Sequence, residues 1–339
     1  MPSRYTKQIR FAPLGEAGQR RLTESRALVI GCGALGSVIA STLVRAGVGF
    51  VRVADRDYLE LSNLQRQVLY DEQDVASGLP KAVVAAQKLR QINSEVTVEE
   101  HVVDVTHENI DRLASDVHVL VDGLDNFETR LLVNDYAVKQ RIPWVYGGCV
   151  GAEGQVLAIL PGETPCLRGL VPEPPPPGVA PTCDSAGVIG PAVNVVASLQ
   201  SVEALKILSG NPAAVNRQLT SIDLWNNRIR QLAVDKLHPV GDCPACDHGE
   251  FPWLSGERAS RTAVLCGRNA VQIRTTSAQP IDLAGLAAQL DGEVLANPFL
   301  VKLMLPDYEL TLFRDGRVIV VGTDQEAKAR SLVAQHLGM

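Results

Sequence analysis

The chemistry in this 339-residue chain is concentrated where apolar runs stop. The run Ala27-Leu28-Val29-Ile30 passes straight into Gly31-Cys32-Gly33-Ala34-Leu35-Gly36. Glycines at that spacing let a backbone approach a phosphate at a helix N-terminus, where free N–H groups and the helix dipole favour negative charge. A tight strand-to-helix turn without a ligand is the alternative. Asp55 follows the next apolar run, 50–54, and stands 19 residues after Gly36. A dinucleotide fold puts a carboxylate there to accept hydrogen bonds from ribose hydroxyls. Asp55 then opens a polar stretch through Asp57, Ser62, Asn63, Arg66 and Gln67, with Gly78-Leu79-Pro80-Lys81 beyond it. A dehydrogenase needs only the carboxylate, so this stretch favours a nucleotide handled through its phosphates. A third run, 119–121, ends in Asp122-Gly123-Leu124-Asp125-Asn126. The plainer readings are a helix cap for Asp55, turns for Asn63 and the Asp125-Asn126 pair, and solvated cations for Arg66 and Lys81.

The cysteines form a second constellation. Cys243-Pro244-Ala245-Cys246 has the spacing of half a tetrahedral zinc site, whereas the matching stretch reads Cys166-Leu167-Arg168-Gly169 and lacks its second thiol. Either zinc is held by three thiolates and another group, with His248 and Cys266 nearest in sequence, or the metal has been lost. Cys183 precedes an apolar helical run, and as a small core residue or a reactive thiol it reads equally well.

The elements that must position these residues follow from periodicity. Residues 4–22 predict a helical arm, with Arg4, Lys7 and Arg10 at helical spacing before a break at Gly15 and Gly18, 27–30 a strand, 37–46 a helix closed by Gly47 and Gly49, and 50–55 the next strand, which is one βαβ unit of a parallel sheet. Residues 161–181, with five prolines between 172 and 177, predict an extended loop, and 187–208 one long buried helix. Past residue 255, strands are expected at 270–276, 299–305, 309–313 and 317–321, with a hairpin at Asp315-Gly316 and helices at 281–290 and 325–337. That is a small C-terminal α+β module, 255–339.

Between residues 1 and 250 the chain resembles, in collinear order, the ubiquitin-activating-like adenylyltransferases of the ThiF, MoeB and HesA family. The resemblance rests on Arg4-Tyr5-Thr6-Lys7-Gln8-Ile9, the glycine turn, 55–67, Asp122 to Asn126 with Arg130 and Asn134-Asp135, Thr182 to Pro191, and Ser198 to Lys206. It implies an ATP-binding adenylyltransferase domain over residues 1–250, an α/β Rossmann-like mixed sheet with helices on both faces that uses ATP and Mg²⁺. It implies that Gly31, Gly33, Ala34 and Gly36 cradle the nucleotide, Asp55 holds the ribose, and Asn63 and Arg66 contact phosphates. By the same resemblance Lys81 would neutralise developing charge and Asp125 would ligate Mg²⁺, with Asp57, Ser62 and Asn126 alongside. The resemblance also implies a homodimer in which the partner's arm lends a cation, here Lys7 where the family has Arg, with Arg4 close by. Lysine is a point charge rather than a bidentate fork, so the match at Lys7 is the weaker one. Cys183 serves acyl chemistry in some relatives, and Cys166, Cys243 and Cys246 would hold zinc. The implied partner is a small ubiquitin-like sulfur-carrier protein of the ThiS or MoaD kind, ending in Gly-Gly, adenylated with release of pyrophosphate and primed for thiocarboxylate formation in thiamine or molybdopterin biosynthesis. An NAD-dependent oxidoreductase and a catalytically weakened nucleotide-binding scaffold are the rival readings.

Composition bounds the rest. Hydrophobic residues at 46% and charged residues at 21% describe a globular chain, and the net charge of -6 argues against a partner held through nucleic-acid phosphates. Residues 251–339 carry nine basic and nine acidic side chains, so the whole acidic excess lies in the first 250. The uncharged runs 27–44 and 185–202 approach bilayer length, but glycines at turn spacing interrupt the first, and Pro191, Asn194, Ser198 and Gln200 the second, so neither is read as a span. With no apolar core in residues 1–13, a cytoplasmic protein is expected, with no membrane partner.

Overall fold

A computed structural model describes residues 4–171, 173–174, 183–234, 242–259, 262–265, 269–274 and 281–338, with backbone alone for 183–184 and 262–265. The chain divides into two compact units, one formed by residues 1–183 with 187–259 and the other by 184–186 with 260–339.

The first unit is built on eight strands: β1 (Arg26–Ile30), β2 (Phe50–Asp55), β3 (Thr97–Val102), β4 (Val119–Asp122), β5 (Trp144–Val150), β6 (Glu153–Ile159), β7 (Leu219–Asp223) and β8 (Arg228–Leu232). They lie in the order β3-β2-β1-β4-β5-β6-β7-β8. The first five are mutually parallel and β6 to β8 run antiparallel, so the sheet is mixed. The expected arm is two helices, α1 (Thr6–Ile9) and α2 (Gly15–Glu24), separated by a turn that ends at Gly15 with φ +60°. Then come α3 (Ala34–Ala46), α4 (Glu72–Ser77), α5 (Lys81–Ile92), α6 (Ile110–Ala114), α7 (Phe127–Gln140), α8 (Leu167–Leu170), α9 (Cys183–Ala186), which has three of its four residues in the second unit, and α10 (Gly190–Leu208).

Strand period decides which helix covers which face. Ala27 and Val29 of β1 join the core made with α3, α5 and α10, while Leu28 and Ile30 join the opposite core made with α6 and α7. The parallel strands are therefore buried on both sides, as their unbroken apolar runs require. Helix α10 is apolar nearly all round because it packs against α3 and across β5 and β6. No helix among the described residues is long and apolar enough to cross a membrane.

The second unit is a six-stranded sheet in the order β11-β12-β13-β14-β10-β9, every pairing antiparallel. Its strands are β9 (Thr262–Leu265), β10 (Ala270–Arg274), β11 (Glu293–Ala296), β12 (Leu300–Met304), β13 (Glu309–Phe313) and β14 (Arg317–Val321). Helices α11 (Leu283–Ala287) and α12 (Glu326–Leu337) share one core with Val271, Val301, Leu310 and Val318. The hairpin at Asp315-Gly316 is present, with Gly316 at φ +84°. Strands β3, β5 to β9 and β11 and helices α4 to α9 are additions to the sequence reading. Helix α3 begins three residues before the expected Ser37, and α10 starts at Gly190 rather than 187.

Two glycines fix how closely the elements meet. Gly31 has φ +85°, and a Cβ there would lie 2.5 Å from the Gly123 carbonyl oxygen, while a Cβ on Gly36 would lie 1.9 Å from the Gly31 oxygen. The backbones leaving β1 and β4 and entering α3 touch at this point. Replacing Gly36 by Ala must push helix and strand apart. Gly36→Ala is expected to destabilise the first unit by more than about 3 kcal/mol, read as a lower urea midpoint at unchanged slope; a midpoint equal to wild type would contradict the contact.

Candidate active site

Because β3, β2, β1 and β4 are adjacent and parallel, their carboxyl ends line one edge of the sheet. The chain winds from β1 outward through β2 to β3, then returns to β4 on the other side of β1. Strand order thus reverses between β1 and β4, the kind of switch point where α/β sheets open a crevice. The glycine turn, Asp55 to Asp57, Asp104 and Asp122 to Asn126 all lie at these ends.

Asp55, the last residue of β2, is buried. Its Oδ2 accepts the Cys32 N–H at 2.6 Å and its Oδ1 the Asp57 N–H at 2.7 Å. Burial pushes its carboxyl above the ordinary value, and Lys81 pulls it back. Lys81 opens α5, its side chain only 3% exposed, with Nζ 3.2 Å from Asp57 Oδ2. The Lys81 N–H donates to the Asp57 carbonyl at 2.9 Å, so α5 is tied to the β2 exit through main chain and side chain together. Tyr70, also buried, donates its O–H to the Cys32 carbonyl at 2.7 Å. Burial above all, with the charges on Cys32 and Asp55, keeps that phenol protonated far past neutrality.

Arg56 sits among carboxylates, its Nη1 3.4 Å from Asp104 Oδ1. Burial works against its charge, yet Asp104, Asp125, Asp57 and Asp55 outweigh burial and hold it firmly protonated. Asp125 shows the reciprocal effect: burial raises its carboxyl most and Asp57 adds to this, but Arg56, Asn126 and Lys81 together outweigh them, so it lies below the ordinary value. Asn126 caps α7, accepting the Thr129 N–H at 2.9 Å, and its Nδ2 donates to Asp125 Oδ1 at 3.2 Å. Beneath them Asp122 pairs with the buried Arg130 at 3.0 Å, and Arg130 also donates to the Leu124 and Gly147 carbonyls. That pair holds the β4 exit against β5.

Asn63 ends a 3₁₀ turn, Leu61–Asn63, and is 1% exposed. Its Oδ1 accepts the Glu60 N–H at 3.2 Å. Arg66 Nη1 donates to the Ser62 carbonyl at 2.8 Å, and the Ser62 hydroxyl to Glu60 at 3.3 Å. The start of α10 adjoins this loop closely, since a Cβ on Gly190 would lie 2.8 Å from the Gln65 oxygen.

The thiol cluster is separate. The sulfurs of Cys166, Cys243 and Cys246 lie within 4.8 Å of one another, the first two buried and 3.5 Å apart. The Cys246 N–H donates to Cys243 Sγ at 3.4 Å, so the thiol-bearing turn is preformed. Hydrogen bonds from Cys166, then Cys246, hold the Cys243 thiol down, while the contact with Cys243 pushes Cys166 up and the contacts with Cys166 and Cys243 push Cys246 up. Arg168 braces this corner: its guanidinium reaches Asp135 Oδ1 at 3.4 Å, donates to the Glu250 carbonyl and lies 4.9 Å from the Trp253 ring centre. Asp135 in turn accepts the Trp253 N–H at 3.1 Å.

A ThiF family model matches residues 5–245. The chain belongs to the ThiF family. It is 49% identical to the sulfur carrier protein ThiS adenylyltransferase of Bacillus subtilis over the whole of both chains. It is 42% identical to the sulfur carrier protein adenylyltransferase of Thermus thermophilus over 72% of this chain and 90% of that relative. Among solved structures, Escherichia coli MccB with ATP matches at a TM-score of 0.62 and 22% identity, over 72% of this chain and 74% of that one, a likeness of fold.

In this ThiF-family chain the structure gathers Gly31, Gly33, Ala34, Gly36, Asp55, Asp57, Lys81, Asp125 and Asn126 at the switch-point edge, with Ser62, Asn63 and Arg66 on the loop that follows β2. Lys7 is not brought there by its own chain. It is exposed on α1, which is fixed at the other end of α3: Gln8 donates to the Ala46 carbonyl at 2.8 Å, and Asn93 to the Tyr5 hydroxyl at 2.9 Å. Thirteen helical residues, about 20 Å, separate that anchor from the glycine turn. Cys183 starts α9, and its side chain lies outside the described residues, as does Cys266. His248 is exposed and does not join the thiol cluster, which corrects its reading as a neighbouring ligand. Sequence reasoning passed over Arg56, Asp104 and Tyr70. An arginine between two aspartates at a strand exit was the available signal for the first, whereas nothing in sequence says that Tyr70 reaches back to Cys32.

Asp135 gives the corner a pH signature. Burial pushes its carboxyl from 3.8 to about 6 despite Arg168. Above pH 6 the folded state carries a buried charge; as pH falls below 6 it takes up a proton that the unfolded chain does not, so this group favours folding toward lower pH. In Asp135→Asn the linkage is absent. The stability of the variant relative to wild type should therefore worsen between pH 7.5 and pH 5, by up to about 1.4 kcal/mol per pH unit once below 6, in urea titrations. A pH-independent difference would refute the assignment.

Proposed function

We propose that this ThiF-family adenylyltransferase transfers AMP from ATP to the C-terminal Gly-Gly carboxylate of a small ubiquitin-like sulfur-carrier protein. The observation that carries the reading is the convergence, at one switch point, of a glycine turn with open N–H groups, the ribose-height carboxylate Asp55, the buried cation Lys81 and the low-lying carboxylate Asp125. In-line attack of the carrier carboxylate on the α-phosphorus expels pyrophosphate. The protein's part is positioning and charge stabilisation in a site shielded from water.

In this reading Asp55, held rigid by two main-chain donors, keeps acceptor capacity for ribose hydroxyls, since an ionised carboxylate has about four lone-pair sites. Gly33 and Ala34 offer N–H groups to phosphate. Lys81, fixed by Asp57, faces the charge that develops as the bond breaks, and Asn63 and Arg66 contact the triphosphate. Asp125, with Asp57 close by, suits Mg²⁺, which when bound neutralises phosphate charge. Residues 1–250 carry this chemistry and 255–339 form an accessory module. Two copies pair, each arm lending Lys7 or Arg4 to the other's site, and the enzyme works in the cytoplasm. The thiocarboxylate made from the acyl-adenylate supplies sulfur for thiamine or molybdopterin biosynthesis, with Cys183 a thiol available for acyl transfer. The dehydrogenase alternative has no support among the relatives.

Arg66→Ala and Lys81→Ala are each expected to lower carrier-dependent ATP–pyrophosphate exchange by about 10² to 10³, the scale of losing one preorganised donor at developing charge; exchange at wild-type rate in both would sink the assignment. The thiol cluster fits zinc through Cys166, Cys243 and Cys246, which converge at bonding range in a preformed turn. Metal analysis of chain purified from zinc-replete cells should give one zinc per chain, reduced in Cys243→Ser; no zinc in the wild type would remove it.

A further inference from the structure

Tyr70 belongs to no helix or strand and stands between the polar loop after β2 and α4, with its ring 6% exposed. Its O–H donates to the Cys32 carbonyl at 2.7 Å, and the Lys81 carbonyl lies 3.4 Å away. The Cys32 N–H is itself committed to Asp55 at 2.6 Å. Side chains therefore hold both main-chain polar groups of Cys32, in the middle of the glycine turn.

The consequence lies one residue on. Cys32 C=O and Gly33 N–H belong to a single planar trans peptide, so they point in opposite directions. Anchoring the carbonyl on Tyr70 turns the Gly33 N–H away from Tyr70. That N–H has no hydrogen-bond partner among the described residues, and it lies at the N-cap of α3, next to the free first N–H groups of the helix. A Cβ at Gly33 would meet only the Gln67 side chain, at 3.7 Å, so the backbone there is uncovered. Flanking glycine makes rotation of this peptide sterically cheap, and the rotated form would present the Cys32 carbonyl, a dipole of the wrong sign for an anion.

We infer that Tyr70 is a positioning residue for nucleotide phosphate: its O–H fixes the Cys32–Gly33 peptide so that the Gly33 N–H faces the anion. This rests on the reading of the glycine turn as an ATP site. The phenol touches no phosphate itself; it sets the direction of a donor that does.

The test is calorimetric titration of the full chain and of Tyr70→Phe with ATP and, separately, with adenosine, which lacks phosphate. Tyr70→Phe should weaken ATP about tenfold, the scale of one hydrogen bond to a charged group, and leave adenosine within about twofold. Equal weakening of both ligands would mark a merely structural role and overturn the inference, as would unchanged ATP binding. Wild-type chain that binds no ATP would remove the functional reading and this inference with it, whereas wild type that binds ATP no better than the variant removes the inference alone. Should Tyr70→Phe not fold, wild-type chain labelled with ¹⁵N-glycine decides: the Gly33 amide resonance should move on adding ATP and stay with adenosine, and a resonance that ignores ATP overturns the proposal.

Discussion

The buried Asp55 carboxylate is the tie on which the rest of the site depends. One oxygen takes the Cys32 N–H and so fixes the glycine turn; the other takes the Asp57 N–H and so fixes the chain leaving β2. Asp57 then receives Lys81, which places the start of α5. Three segments far apart in sequence meet because a buried anion is costly unless hydrogen-bonded and faced by a cation. The sheet supplies the geometry, since β1 and β2 are hydrogen-bonded neighbours in parallel register, with Ile30 opposite Ala54.

Around that tie the charges are arranged so that no carboxylate is left alone. Asp55 and Asp57 share Lys81, while Asp104 and Asp125 share Arg56, giving four anions to two cations. The cluster keeps an acidic excess at the strand ends beside main-chain donors that favour anions. That pairing of charges is the one the proposed binding of ATP with a divalent cation draws on.

The parts of the fold that were legible in sequence are those with strong period or strong punctuation. The β1–glycine turn–α3–β2 unit could be read because apolar runs, glycine spacing and the closing Gly47 all agree. Strand β11 could not: in Glu293–Ala296 only Val294 is even half-buried, so the alternation that announces a strand is absent. The arm could be read with its break, since Arg4, Lys7 and Arg10 have helical spacing and Gly15, which takes a left-handed conformation, interrupts it. At the site, the residues with short side chains at strand ends, Asp55, Asp57 and Asp125, could be placed from topology. Those that act by reaching, Arg56 to Asp104 or Tyr70 to Cys32, depend on side-chain direction in loops, for which sequence carries no period.

The brace of Arg168 on Asp135, Glu250 and Trp253 bears on how such a chain can change over generations. Arg168 lies inside the very stretch, Cys166-Leu167-Arg168-Gly169, that has one thiol where a paired motif has two. A segment anchored only by a metal cannot lose a ligand without coming loose. Here an ion pair, a main-chain hydrogen bond and a guanidinium over an indole already hold 242–259 against α7. The corner therefore keeps a fastening that needs no metal, so the loss of a thiol at Gly169 leaves the segment held to the fold.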